Sequence, residues 1–331
     1  MNLAPLHDPL LLLYVGLALD ALFGEMGPVF RRVLHPVVLA GRAIQFFDAR
    51  LNRPIRSERA RRARGVATVV VLVGVAAALG WGAEVLCRAS LAGAAVEAVI
   101  IGVLVAQRSL YEHVLAVGRS LVQGGLAAGR SAVSHIVGRD PLRLDGPGVA
   151  RAAIESLAEN FSDGVVAPVI WYLVLGLPGL FAYKMANTLD SMIGHRSPRY
   201  RAFGWAAARL DDVLNLVPAP IAGALIAGGA LFAHGSSAGA AVRIMLRDGR
   251  THRSPNAGWP EAAMAGALGL RLAGPRHYPE GTVDDPYLGD GSPLVTPNHI
   301  AIALRIYVRA CLILAGLVLG AFLARHLTQP W

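Results

Sequence analysis

Acidic and amide side chains crowd the two ends of one long apolar run, residues 164–183. The run carries no charge, and an unpaired charge at membrane depth costs several kcal/mol. Oxygen ligands without cysteine suit Mg²⁺, which usually binds through one or two carboxylates together with substrate phosphates. We therefore predict Mg²⁺-assisted chemistry around this run. The side chains concerned are Glu155, Glu159 and Asp163 before it, Lys184, Asn187, Asp190 and Ser191 after it, and Asp211, Asp212 and Asn215 further on.

The first three acids follow one another at intervals of four residues. A helix over Glu155, Glu159 and Asp163 would align their carboxylates on one stripe, where like charges repel. This spacing implies a cation, an arginine or a ligand beside them. The alternative to a functional role, for any of the acids around the apolar run, is a structural ion pair within the membrane, such as one between Lys184 and Asp190.

Three further residues have both a functional and a structural interpretation. Lys184, the only lysine of the chain, is suited either to reach the membrane interface or to act as a point charge on a phosphate. His195 is either a proton acceptor or an ordinary loop histidine. Trp259 is either a ligand contact or an interfacial aromatic residue.

The composition is that of an integral membrane protein. Only 16% of the residues are charged, against about a quarter in soluble domains, and 54% are hydrophobic. The net charge of +9 comes almost entirely from arginine. Ten arginines lie in residues 24–64, which predicts a cytoplasmic loop. No basic tract is interleaved with aromatic residues, so we expect no nucleic-acid partner.

Apolar stretches of about 20 residues are candidate membrane spans. They predict an all-α, polytopic membrane helical bundle with large polar loops, forming one domain over residues 1–331. Pro168, Pro178 and several glycines break the fourth stretch, which favours a re-entrant or interrupted segment with both ends on the cytoplasmic side. The stretches are 9–23, 65–83, 91–106, 164–183, 213–233 and 306–324.

The polar regions between the spans also have recognisable patterns. Residues 109–138 predict amphipathic helices, and turns are expected at Asp140-Pro141 and at 145–148. Around Trp259, proline at a first helical position and glutamate in the first turn predict a helix that continues to Leu272.

Four long motifs resemble the signature stretches of the adenosylcobinamide-phosphate synthases, the CobD/CbiB family of cobalamin biosynthesis. They are ESLAENFSDGVVAPV, KMANTLDSMIGH, ARLDDVLNLVPA and SPNAGWPEAAMAGALGLRLAG, and the early LDALFGE and HPVVLAGRAI are similar as well. The resemblance implies a multi-pass protein of the bacterial inner membrane. It also implies an ATP- and Mg²⁺-dependent ligation of (adenosyl)cobyric acid with (R)-1-amino-2-propanol or its O-phosphate.

The resemblance also suggests roles for individual residues. Catalysis would involve Lys184, Asp190, His195 and Glu159, with His195 or a neighbouring acid taking the proton of the amine. Metal binding is expected from Asp190, Asp211 and Asp212, and from Asp163. Contacts to ATP phosphates would come from Lys184, Asn187, Ser191 and Arg196, and contacts to the corrinoid from Asn160, Asn256 and Trp259.

Other classes of membrane protein remain open from the sequence. A transporter would also have buried charges and broken helices, but it usually shows repeats, and none occurs here. A membrane alcohol phosphotransferase is an enzymatic alternative, although Pro168 stands where its motif requires arginine. The third alternative is a non-catalytic scaffold that holds other cobalamin-biosynthesis proteins together.

Overall fold

The computed structural model describes residues 4–24, 35–138, 140–195, 197–278, 281–283 and 285–327, and these are helical nearly throughout. The described strands are short and form two antiparallel pairs, β1 (Leu272–Ala273) with β4 (Tyr287–Leu288) and β2 (Arg276–Tyr278) with β3 (Gly281–Val283). The α-helices are α1 (Pro9–Phe23), α2 (Pro36–Leu51), α3 (Glu58–Cys87), α4 (Leu91–Leu104), α5 (Gln107–Gln123), α6 (Gly125–Val133), α7 (Gly146–Phe161), α8 (Ala167–Ile193), α9 (Trp205–Leu214), α10 (Pro218–Leu231), α11 (Ala238–Asp248), α12 (Gly258–Leu268) and α13 (Pro297–Leu327).

Length and apolar composition identify four membrane-crossing stretches among the described residues. They are α3, α4 continued by α5, α7 continued by α8, and α13, and the bent pair α9 and α10 would make a fifth. Helix α1 is apolar but has only 15 residues, which is short for a bilayer about 30 Å thick. The prediction of an all-α, polytopic membrane protein is confirmed.

The predicted interruption of the fourth apolar stretch is present within α8. Gly176 has φ 65° and ψ −151°, outside the helical region, and Pro178 follows it. Beside this irregularity, the backbone N–H of Leu177 donates to Glu84 Oε2 of α3 at 3.0 Å. Helix α3 comes very close at this level, since a Cβ on Gly80 would lie 2.6 Å from the Leu177 carbonyl oxygen. The cytoplasmic placement of both ends stays a prediction.

Three predicted boundaries differ from the structure. Helix α12 ends at Leu268 and does not reach residue 272, because Gly269 adopts the left-handed conformation (φ 62°) that terminates helices. The expected turn at 145–148 is instead the start of α7, where the Asp145 carboxylate accepts the Gly148 N–H at 2.8 Å. The stretch 213–233 is not a single helix, since α9 ends at Leu214 and α10 begins at Pro218.

The chain divides into two compact units, each assembled from separate segments. Unit 1 comprises Met1–Ala106, Ala167–Asn215 and Val318–Trp331, and unit 2 comprises Gln107–Val166 and Leu216–Leu317. In unit 1, α8 packs along α3, α2 and α9 around a core that includes Ile44 and Phe203. In unit 2, α12 packs against α11, α10 and α7. The expectation of a single domain over the whole chain stays a prediction.

Candidate functional site

A buried cluster of carboxylate and amide groups joins α8 to α9 in unit 1. Asp211 is only 8% exposed. Its Oδ1 accepts a hydrogen bond from Asn187 Nδ2 at 3.3 Å, and its Oδ2 accepts one from Asn215 Nδ2 at 3.0 Å. Asn215 is fully buried, and the Tyr183 hydroxyl donates to its Oδ1 at 3.0 Å. The network fixes the Asp211 carboxylate in one orientation.

Helical periodicity explains why these side chains meet. On α8, Tyr183, Asn187 and Asp190 recur at intervals of four and three residues and therefore lie on one face. On α9, Asp211 and the following Asn215 are four residues apart, so both face α8. Asp190 lies near enough to Asp211 for the two carboxylates to repel each other. We call Asp190, Asp211 and Asn187 the acid–amide cluster.

The acid–amide cluster has the donor chemistry of a magnesium site. No three His, Cys, Asp or Glu side chains converge as a metal cage within the described ranges. Mg²⁺ does not need such a cage, because it is commonly held by one or two carboxylates plus water and substrate phosphates. A cation between two neighbouring carboxylates, here the buried Asp211 and the half-buried Asp190, would reduce the repulsion between them. The residues fit Mg²⁺, and the binding of Mg²⁺ by Asp190 and Asp211 stays a prediction.

Asp212 has different surroundings from its neighbour Asp211. Its Oδ2 accepts from Arg209 NH1 at 2.9 Å, and its side chain is 26% exposed. A helix points consecutive side chains about 100° apart, so only one of the two acids can face Asn187. Asp212 therefore has a weaker case as a metal ligand than the sequence suggested.

The remaining predicted residues of unit 1 lie along the end of α8. Lys184 is half-buried, one residue from Tyr183 on the helix. Ser191 is exposed, and its hydroxyl donates to the Asn187 carbonyl at 2.9 Å. His195 is exposed just after the helix, and Arg196 lies outside the described residues.

The loop after α8 is held by a polar network that the sequence did not reveal. Asp48 of α2 is 7% exposed. Its Oδ2 accepts from Arg199 NH2 at 2.5 Å and from the Tyr200 hydroxyl at 3.3 Å, and its Oδ1 accepts from Asn52 Nδ2 at 2.8 Å. The hydrogen bond and charge of Asp48 raise the pKa of Arg199. Burial, followed by the Asp48 charge, raises the pKa of Tyr200. The pairing was not predicted from the sequence, because Asp48 and Arg199 lie 151 residues apart in the chain.

In unit 2, the expected stripe of three carboxylates is not formed as predicted. Glu155 is 4% exposed and accepts the backbone N–H of Ala273 at 2.8 Å, whereas Glu159 is exposed. Ala273 has φ +54°, a left-handed conformation that is unfavourable for a residue with a Cβ. Glu155 therefore faces the protein interior, where its hydrogen bond helps to stabilise a strained backbone.

Asn160 and Asp163 lie next to or within a short π-helical turn. Residues Ser162–Val166 form a π-helical turn between α7 and α8, and such turns occur often at functional sites. Asn160 is exposed, and its Nδ2 donates to the Ser156 carbonyl and hydroxyl at 2.9 and 3.1 Å. Asp163 is half-buried in the turn. Asn160, Asp163 and Glu159 thus belong to unit 2, and the acid–amide cluster belongs to unit 1.

The motif before α12 forms a tight turn in unit 2. The Ser254 hydroxyl accepts the backbone N–H groups of Asn256 and Ala257 at 3.3 and 3.2 Å. Asn256 is 5% exposed, and Trp259 is half-buried with the Arg250 guanidinium 5.6 Å from its ring. The expected corrinoid contacts of both residues stay predictions.

A buried histidine and glutamate lie beneath this turn. His252 Nε2 is 4.0 Å from Glu261 Oε2, and their side chains are 6% and 1% exposed. The backbone N–H of Ser254 donates to His252 Nδ1 at 3.1 Å, which makes Nδ1 an acceptor. This pair was not predicted from the sequence, because His252 and Glu261 lie nine residues apart in the chain.

Hydrogen bonds of Asp248 and Arg247 join α11 to the loop after β4 in unit 2. Asp248 is 8% exposed, accepts two hydrogen bonds from Arg247 at 2.6 and 2.8 Å, and accepts the Gly289 N–H at 2.8 Å. Arg247 also donates to Asp290 at 2.7 Å. The Arg247 hydrogen bonds lower the pKa of both carboxyl groups.

The fold and the acid–amide cluster define a polytopic helical membrane protein with two neighbouring carboxylates on packed helices, of which Asp211 is buried and Asp190 half-buried. Comparison with known proteins identifies which family of membrane proteins this is. The profile of the family described as CobD/Cbib protein matches residues 13–307. The chain belongs to the CobD/CbiB family.

Curated relatives align with the chain over nearly its whole length. "Cobalamin biosynthesis protein CobD" of Sinorhizobium sp is 52% identical over 317 residues, covering 94% of this chain and 97% of the relative. Proteins of the same name from Brucella suis (50% identical; 95% and 97% covered) and Rhodobacter capsulatus (45% identical; 93% and 95% covered) are also similar. No solved structure matches the chain.

Proposed function

We propose that this protein acts in cobalamin biosynthesis as an adenosylcobinamide-phosphate synthase. In this proposal it joins a carboxylate of (adenosyl)cobyric acid to (R)-1-amino-2-propanol or its O-phosphate, at the expense of ATP and with Mg²⁺. Family membership and the names of the curated relatives support the role in cobalamin biosynthesis. The observation that carries the ligase chemistry is the acid–amide cluster, with Asp211 fixed opposite Asp190.

The reaction needs ATP because a carboxylate is a poor acylating agent. The cobyric acid carboxylate attacks the γ-phosphorus of ATP, which forms an acyl phosphate and releases ADP. The amine then attacks the acyl carbon, inorganic phosphate leaves, and the proton lost by the amine goes to a base. Phosphoryl transfer of this kind depends on positioning and on stabilisation of charge at the phosphate oxygens.

The residues of unit 1 are suited to the phosphoryl-transfer half of this reaction. Asp190 and Asp211 would hold Mg²⁺, which neutralises charge on the ATP phosphates when it is bound. Lys184 is half-buried near the same face of α8, and it would provide a point charge to the transferred phosphoryl group. Asn187 orients Asp211 through its Nδ2. Ser191 and Arg196 would add further phosphate contacts.

The residues of unit 2 are suited to binding the organic substrates. A corrinoid has apolar faces and amide edges, which match the ring of Trp259 and the amides of Asn160 and Asn256. The metal-binding role of Asp163, in the π-helical turn, stays a prediction from the sequence. Removal of the amine proton requires an acceptor, which would be Glu159 of this unit or His195 of unit 1; both side chains are exposed.

The experiment that tests the proposal is a ligation with purified protein in detergent. It contains cobyric acid, aminopropanol phosphate, Mg²⁺ and ATP, and it follows cobinamide phosphate and ADP together. We expect equal amounts of both products, and loss of both in Lys184→Ala. Corrinoid binding without product, with ATP left intact, would contradict the ligase and favour a scaffold that serves other cobalamin-biosynthesis proteins.

A further inference from the structure

A band of exposed arginines surrounds the N-terminal end of α3 in unit 1. We define the arginine belt as Arg50, Arg53, Arg59 and Arg62, all of which are exposed. Apolar side chains lie among them. Phe46 is 50% exposed, Ile55 92% and Trp205 39%. The interface of a bilayer favours both aromatic rings and arginines.

Two of the arginines lie over aromatic rings of this surface. The Arg50 guanidinium lies 4.0 Å from the centroid of the Phe46 ring, and that of Arg62 lies 3.7 Å from the Trp205 ring. Such contacts hold a guanidinium parallel to an apolar surface, with its N–H groups directed to the side. The N–H groups therefore remain available to an anion in the same plane.

The length of α3 sets the depth of the belt in a membrane. Exposed apolar side chains run along α3 from Val66 to Leu86, which at about 1.5 Å per residue spans roughly 30 Å, the thickness of the hydrocarbon core. Arg62 and Arg59 precede Val66 by four and seven residues, or about 6 and 10 Å. Both arginines thus reach the depth of the lipid headgroups.

The acids of the same segment do not neutralise the belt. Residues 35–64 contain two acids, Asp48 and Glu58. Asp48 is buried and bonded to Arg199, and Glu58 is paired with Arg201. Within the described ranges, no belt arginine forms an ion pair, so the positive charge of this surface is complementary to an external anion.

We propose that the arginine belt is a binding surface for anionic phospholipid headgroups. Helix α2 lies along the interface with Phe46 directed to the lipid, and the guanidinium groups of Arg59 and Arg62 bind lipid phosphates. A lipid fits better than a soluble phosphate because the cationic groups are interleaved with exposed apolar side chains at one bilayer depth. This inference does not depend on the proposed ligase activity.

The test measures lipid retention by the purified full chain. The protein is held in mixed micelles with phosphatidylglycerol or phosphatidylcholine, and bound lipids are counted by native mass spectrometry. We expect selective retention of phosphatidylglycerol by the wild type. Arg59→Gln/Arg62→Gln should weaken that binding roughly 30-fold, since each arginine near an anionic surface contributes about fivefold.

Two matched variants separate the belt from general effects of charge. Arg243→Gln/Arg253→Gln removes the same charge from exposed arginines of unit 2 that lie outside the membrane-crossing stretches, and it should change retention less than twofold. Arg59→Lys/Arg62→Lys keeps the charge and should retain most of the lipid. Equal loss in the Arg59/Arg62 and Arg243/Arg253 glutamine variants would overturn the proposal. So would equal retention of phosphatidylcholine, or displacement of the lipid by soluble glycerol phosphate at the same concentration.

Discussion

Asp211 and Asp212 are adjacent in sequence, yet their environments predict opposite outcomes for the same substitution. Asp211 is buried, bonded by Asn187 and Asn215, and close to Asp190. Asp212 is paired with a surface arginine. We predict that Asp211→Asn greatly reduces ligation, whereas Asp212→Asn leaves it within about fivefold of the wild type, as for the loss of a surface ion pair.

The expected magnitudes follow from the contacts. Removing one preorganised electrostatic group from an active site typically costs 10²–10³-fold in rate, or about 3–4 kcal/mol, and we expect Asp211→Asn to lie in this range. Its effect on folding should be smaller. Asn at 211 can accept from only one of the two amides, which costs about 1–3 kcal/mol, but the repulsion by Asp190 is also removed.

The assay is the rate of ligation as a function of Mg²⁺ concentration, with thermal unfolding of each variant as the control for folding. Asp211→Asn should need more Mg²⁺ and should unfold within a few degrees of the wild type. Equal rates for the two variants would refute the distinction between the acids. A wild-type rate and Mg²⁺ dependence in Asp211→Asn would refute the assignment of the metal to this cluster.

Three further predictions concern stability. Gly80→Ala should disrupt the packing of α3 on α8, because its Cβ would lie 2.6 Å from the Leu177 carbonyl oxygen; an unchanged unfolding temperature in detergent would contradict this close approach. Tyr183→Phe removes the hydroxyl that donates to the buried Asn215 oxygen, and it should lower the free energy of unfolding by about 1–3 kcal/mol. An unchanged free energy of unfolding would contradict this hydrogen bond. Asp248→Asn should destabilise the protein at neutral pH, because the folded pKa of Asp248 is depressed. That stability is present above the ordinary aspartate pKa of about 3.9 and is lost as the pH falls through the folded value, so wild type and variant should converge in acid. A constant difference across this range would contradict it.

The membrane-embedded helices could be predicted from the sequence because lipid imposes a simple rule on composition. The run 65–83 lies inside α3, and 306–324 lies inside α13. The interruption near Pro178 was also predictable, since proline and glycine break helices locally. Its stabilising partner Glu84 was not, because that carboxylate is 93 residues away in the chain.

The candidate site was predictable in its residue types but not in its pairings. Asn187 and Asp190 are three residues apart, so a helix places them on one face. Asp211 was recognised as an acid beside an apolar run. The sequence could not separate Asp211 from Asp212, because that difference depends on which side of α9 faces α8. Nor could it show that Glu155 faces inward, since its partner is the backbone N–H of a distant strand.

The measurement that tests the central claim most directly is the transfer of isotope from the acid to phosphate. Cobyric acid labelled with ¹⁸O in the reacting carboxylate is ligated by the purified protein, and the inorganic phosphate released is analysed by mass spectrometry. If ATP activates the carboxylate as an acyl phosphate, one ¹⁸O atom should appear in phosphate for each amide bond formed. Unlabelled phosphate beside labelled AMP, or amide formation without ATP cleavage, would contradict the account.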